Sequence, residues 1–172
     1  MKDRNYIQEA LTGAVIELFG ENKVLVPNMT EDGLQDGFHV ELHWMPSDAT
    51  PATLGHLGDD HHSGLIQVDI KTPFGQGVGE AKEKVAILEG NFKAGRKIWY
   101  NNTMVTVRKT CEEPSYRKDQ WWVTLVSVYW YARVNRGLQA HISELESGLG
   151  GTIDGLSIAI SKYYEKSSQL GV

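Results

Sequence analysis

The densest group of side chains able to do chemistry in this sequence is Asp59-Asp60-His61-His62, with His56 close by. Carboxylates and imidazoles ligate divalent metals, so this cluster is the first place to look for an ion. Four adjacent residues cannot all reach one ion without a special loop, and no spaced His-Glu-x-x-His pattern accompanies them. The plainer reading is a hydrated loop tip, so no metal and no cofactor is expected. His39 and His43 share one face of a strand, but at ~3.3 Å per residue they stand about 13 Å apart, too far to hold one ion directly.

Other chemistries find less support. Gly75, Gly77 and Gly79 lead into a helix, where backbone N–H groups can cradle a phosphate. Their spacing matches neither the Walker nor the dinucleotide fingerprint, and no Lys-Ser/Thr follows. A turn that swings a strand into a helix explains them better. No Gly-x-Ser-x-Gly elbow is present, and Cys111 has Arg108, Lys109, Glu112 and Glu113 around it but no histidine partner nearby in sequence. Catalysis therefore has no positive support, and a non-enzymatic protein is expected.

Aromatic residues are the stronger signal. Trp121-Trp122 and Tyr129-Trp130-Tyr131 fall on alternate faces of one long strand. One face belongs to a core. The other is a candidate subunit interface, because exposed aromatic area usually marks one.

The elements that must position these residues follow from periodicity. Ile7, Ala10, Leu11, Ala14 and Leu18 form a helical stripe that ends near Gly20 and Asn22. Phe38, Val40, Leu42 and Trp44 alternate with His39, Glu41 and His43, which predicts a half-buried strand with a polar outer face. Residues 46–63 read as a long loop or hairpin arm. Ile66, Val68 and Ile70 mark a second strand, closed by Pro73 and the glycines after it. Ala81, Val85, Leu88 and Phe92 give the clearest helix, with Glu80 and Lys84 spaced for an ion pair, Gly95 as its stop and Arg96 to complement its dipole.

Strands return at Ile98–Tyr100 and over MVTVRKT, then a charged loop CEEPSYRKD, then the run WWVTLVSVYWYARV as a central strand. The order predicts an α+β fold: a mainly antiparallel or mixed sheet with two helices on one face, plus a C-terminal extension. One domain over 1–136 and an extension over 137–172 are expected, the latter carrying Leu138, Ile142 and Leu145 and then Leu156, Ala159, Ile160 and Tyr163 at helical spacing.

Composition bounds the partners. The net charge of −5 argues against a dedicated nucleic-acid binder. Residues 1–63 hold 3 Lys/Arg against 11 Asp/Glu, and residues 64–172 hold 14 against 11. Such asymmetry could pair acidic and basic faces of neighbouring subunits, although a solvated surface explains it too. A single cysteine allows no intrachain disulfide, and no long apolar run or apolar leader predicts a membrane span or secretion, so assembly in a cytoplasm is expected.

The segment GLIQVDIKTPFGQGVGEAKEKVAILEGNFKAGRKI resembles the tail-terminator (tail-completion) proteins of long, non-contractile-tailed bacteriophages. The residues that carry the resemblance are Gly64, Gln67, Val68, Asp69, Pro73, Gly77, Ala81, Ile87, Phe92 and Gly95. It is specific over 64–95 and extends in organisation over about residues 1–135. It implies a homo-oligomeric, six-fold ring at the end of the virion tail that stops tube polymerisation and offers a surface for head joining. Its implied partners are the tail tube protein and a head-closure or neck protein. DNA passes through such a ring without being read in sequence.

Candidate interface residues are Arg96, Arg108, Lys109, Arg117, Lys118, Trp121, Tyr129 and Tyr131. The alternatives are another neck or tail subunit, such as a head-closure or tube protein, or a small metal-binding enzyme using residues 56–62.

Overall fold

The computed structural model describes residues 2–29, 37–55 and 58–136. The expected helices of the extension 137–172, and His56, lie outside the described residues. The fold is α+β, with two helices and a mixed, strongly curled sheet. The elements are α1 (Lys2–Phe19), β1 (Val24–Leu25), β2 (His39–Pro46), β3 (Thr50–Pro51), β4 (Asp59–Pro73), α2 (Gly79–Asn91), β5 (Lys97–Tyr100), β6 (Thr103–Glu112), β7 (Tyr116–Lys118) and β8 (Trp121–Asn135). A single 3-10 turn, Glu21–Lys23, joins α1 to β1.

The sheet runs in the order β1-β2-β4-β8-β6-β5, with β3 paired to β4 and β7 to β8. β2 with β4, β3 with β4, β5 with β6, β6 with β8 and β7 with β8 pair antiparallel, while β1 runs parallel to β2. β8, the run richest in β-branched and aromatic residues, is central, as such a run requires when both its faces meet neighbours.

The core forms where α1 and α2 meet one face of the sheet. Ile7, Leu11 and Val15 of α1 and Val85 and Leu88 of α2 pack with Val40, Leu42, Ile66, Val68, Ile70, Val128 and Trp130. Strand alternation puts Val40 and Leu42 on this face, and the register Val40↔Ile70 and Leu42↔Val68 lines up apolar pairs across the ladder.

Two glycines matter to this packing. Gly95 takes φ +86, which lets the chain leave α2 and donate its N–H to Val107 O at 2.8 Å. Gly64 lies where Trp130 crosses β4: a Cβ there would sit 2.8 Å from Trp130 Cζ2 and 2.7 Å from the Met45 carbonyl. Trp130 thereby reaches Trp44 and stacks on it with centroids 5.0 Å apart and planes 8° from parallel.

The C-terminal end of α2 is closed by side chains. Asn91 Nδ2 donates to Ile87 O at 2.9 Å, and Arg96 Nη1 donates to Asn91 O at 2.7 Å. Arg96 supplies a cation where the helix dipole is negative.

One ion pair differs from the sequence expectation, and of the two readings of 46–63 the hairpin arm is the one that forms. Lys84 pairs with its neighbour Glu83 at 3.3 Å, not with Glu80, because its ammonium also lies 4.8 Å from the Phe38 ring centroid. Much of the stretch 46–63 is ordered strand: β2 runs through Pro46, and β4 already starts at Asp59. Thr50↔His61 and Pro51↔Asp60 pairing makes β3 and β4 a short hairpin arm.

The described residues divide into two compact units, one drawn from 1–52 with 60–134 and one from 53–59 with 135–136. In the second unit, the Asp59 N–H donates to Thr53 Oγ1 at 2.6 Å and Asn135 Nδ2 to Asp59 Oδ1 at 2.9 Å. Arg136 Nη2 donates to Thr53 O at 2.6 Å.

Candidate functional site

The sheet's other face carries the charge. On β2 and β4 it holds a block of six residues in two columns, with His39 opposite Lys71, Glu41 opposite Asp69 and His43 opposite Gln67. Residues two apart on a strand share a face, and opposite residues have Cβ atoms about 5 Å apart, so the block is contiguous.

Its contacts are short. Lys71 Nζ lies 2.7 Å from Glu41 Oε2. His43 Nε2 lies 3.2 Å from Asp69 Oδ2 and 3.9 Å from Glu41 Oε1. Gln67 Nε2 donates to Asp69 Oδ1 at 2.7 Å. Asp69 and Lys71 are buried, and pairing of Asp69 with His43 and Gln67 and of Lys71 with Glu41 is what makes that burial tolerable.

Burial by itself would raise the Glu41 pKa. The Lys71 hydrogen bond and charge, helped by His43 and Lys118, oppose it and hold the carboxyl below its usual value. Glu41 is thereby kept ionised.

His39 departs from the polar outer face expected of β2: it is buried, with Trp121 edge-on to its ring at 4.6 Å. Trp121 opens β8, which β4 separates from β2 in the sheet order, so alternation along one strand cannot reveal the contact.

The candidate interface residues distribute unevenly. Arg96 is spent on the end of α2. Arg108 is the extra residue of a β-bulge between Val107 and Lys109 and is exposed. Lys109 lies 4.4 Å over the Tyr129 ring, and His61 stacks on Tyr131 at 5.7 Å. Trp121, Tyr129 and Tyr131 are all half-buried on this face. Arg117 and Lys118 are exposed on β7, with Arg117 stacked 4.1 Å over the exposed Phe74.

Tyr129 and Arg108, with Met45 and Leu65, border a shallow hollow of about 160 Å³. Trp99, which the sequence reading left aside, is 64% exposed on the edge strand β5. A tryptophan in a four-residue strand at the end of a helix-strand-turn series was the available signal.

The Asp59–His62 cluster is not drawn together. It starts β4, so successive side chains alternate in direction, and His61 is stacked on Tyr131. Among the described residues, the group whose donor atoms do converge is Glu41, His43 and Asp69.

The curled sheet is thus covered by helices on one face and carries aromatic and charged side chains on the other. The family model for phage tail terminator protein matches residues 6–130, and the chain belongs to that family. It is a structural protein of the phage tail. A solved structure of 18% identity, covering 75% of this chain and 92% of its own with a TM-score of 0.56, shares the fold. A chain from the virion of a native gene transfer agent particle is 17% identical, covers 77% of this chain and 97% of its own, and has a TM-score of 0.47. No curated protein matches the chain.

Proposed function

We propose that this protein caps the tail tube as a ring, six-fold by resemblance, ends tube polymerisation and presents the surface on which the head is joined. Membership of the tail terminator family over residues 6–130 is the observation that carries this reading. The proposed domain is 1–136, with 137–172 an extension that binds a neighbouring subunit or neck protein.

A ring arises from heterologous contacts that close after a fixed rotation. The surfaces assigned to those contacts are the segments 46–63 and 111–119. Arg108, Lys109, Arg117 and Lys118 are the cationic partners for the acidic half of a neighbour, and Trp121, Tyr129 and Tyr131 add aromatic area beside them. Trp99 on the β5 edge adds a further contact. Arg96 is the weakest member of this set, since its guanidinium already serves α2. Assembly takes place in the host cytoplasm, and DNA passes through the finished ring without sequence-specific contact.

The test is electron microscopy of the protein alone and with its tail tube protein. Rings seated on tube ends, with tubes of limited length, support the reading. Incorporation along the tube wall instead makes it a tube subunit. Binding to head portals without tubes makes it a head-closure protein.

A further inference from the structure

We propose that Glu41, His43 and Asp69 form a zinc-binding site on the sheet. The three residues each offer one donor atom, and these atoms lie within 4.8 Å of one another. A four-coordinate zinc with bonds near 2.0 Å holds neighbouring donors about 3.3 Å apart. The His43 Nε2 to Asp69 Oδ2 separation is 3.2 Å, and the His43 Nε2 to Glu41 Oε1 separation is 3.9 Å. The longest separation in the set is within 4.8 Å, so closing all three donors onto one ion requires side-chain rotation.

The second observation is how the outer oxygens are used. Glu41 gives Oε2 to Lys71 at 2.7 Å and turns Oε1 inward. Asp69 gives Oδ1 to Gln67 at 2.7 Å and turns Oδ2 inward. Each carboxylate is thus oriented by a donor on one oxygen while the other faces the centre, the arrangement that outer-shell partners impose around protein metals.

The backbone supports it as well. Glu41 and His43 are two apart on β2, and Asp69 stands directly opposite Glu41 on β4. Neighbouring strands of one ladder hold the ligands more firmly than a loop does.

One imidazole with two carboxylates favours zinc over magnesium or calcium, which prefer oxygen alone. Asp69 closes the inner side, being buried, and His43 at 40% exposure leaves room for water as fourth ligand. Bound zinc would tie β2 to β4.

The experiment is zinc titration by calorimetry of the full chain after chelator treatment, with cobalt(II) absorption as a spectroscopic probe. The expected result is one zinc per chain, visible cobalt bands of a four-coordinate site, and a Tm rise of about 5–10 °C at a hundredfold excess over Kd. His43→Ala should weaken zinc by about tenfold or more and abolish the cobalt bands, while His61→Ala should leave both unchanged.

If His43→Ala does not fold by circular dichroism, Gln67→Ala serves. It keeps all three ligands, removes the group that orients Asp69, and should still weaken zinc. Absence of stoichiometric zinc in the parent chain overturns the proposal. So does zinc that survives His43→Ala, or zinc lost only with His61→Ala.

Discussion

The two faces of this sheet are built from the same strands by different physics. On one, Val128, Trp130 and Ala132 meet α1 and α2, and burial rests on apolar packing. On the other, Ser127, Tyr129 and Tyr131 alternate with them along β8, and the adjoining Asp69 and Lys71 are buried through charge pairing. The first face explains why the chain folds. The second is left with side chains that folding alone does not require, and these are the ones assembly can use.

Neighbouring residues on β8 test that contrast most sharply. Trp130→Ala removes a ring 2% exposed and stacked on Trp44, and should cost about 3–5 kcal/mol in urea unfolding. Tyr129→Ala, one residue away, should cost about 1 kcal/mol or less, since its ring is half-exposed. Equal losses at both would mean the second face is as much a core as the first.

Gly64→Ala sharpens the same boundary. The added Cβ meets the Met45 carbonyl, the Pro46 Cα and the Trp130 ring at 2.7–2.9 Å, and two of those atoms are backbone. The strand must shift, at a cost of about 1–3 kcal/mol, and near-ultraviolet circular dichroism should report the disturbed Trp44–Trp130 stack. An unchanged spectrum and midpoint would place Trp130 elsewhere.

Much of this was legible beforehand. Period-2 alternation in β2 and β4, and the helical stripes of Ile7–Leu18 and Ala81–Phe92, name the core face residue by residue. What alternation cannot give is register across strands. Glu41 and His43 were readable as one polar face, and Asp69 as a strand residue. Only the pairing Glu41↔Asp69 puts all three together.

For the same reason His39 read as part of a polar outer face: Trp121 is far away in sequence, and alternation along one strand does not show that the two rings meet. Asp59–His62 read as a hydrated loop tip whose adjacent residues could not all reach one ion; it is instead the start of β4, where strand geometry turns neighbours to opposite sides.

The charged face should respond more mildly to substitution. Glu41→Gln keeps the shape of the side chain but removes the ion pair with Lys71 at 2.7 Å. Glu41 is partly exposed, so in zinc-free protein the loss should be about 1 kcal/mol in urea unfolding, well below that at Trp130. A loss as large as the Trp130 one would mean that the charge block, not the apolar core, governs folding.

The smallest effect on the folded chain should come with the largest effect on assembly. Arg117 and Lys118 are exposed on β7; Arg117 gives Nε to the Asp119 carbonyl at 3.2 Å and stacks on Phe74, and Lys118 acts on Glu41 only through its charge. Reversing both to Glu should change monomer stability by no more than about 1 kcal/mol. If these cations meet the acidic half of a neighbour, the reversal puts like charges across the contact, which costs far more than deleting a pair. Sedimentation of mixtures with the tail tube protein should then show assembly lost in the double variant. In the parent, assembly should weaken as salt rises, because exposed charges are screened within about 10 Å at 0.1 M ionic strength. Assembly that survives both reversal and salt would move the contact to the aromatic surface of Trp99, Tyr129 and Tyr131, where salt has little purchase.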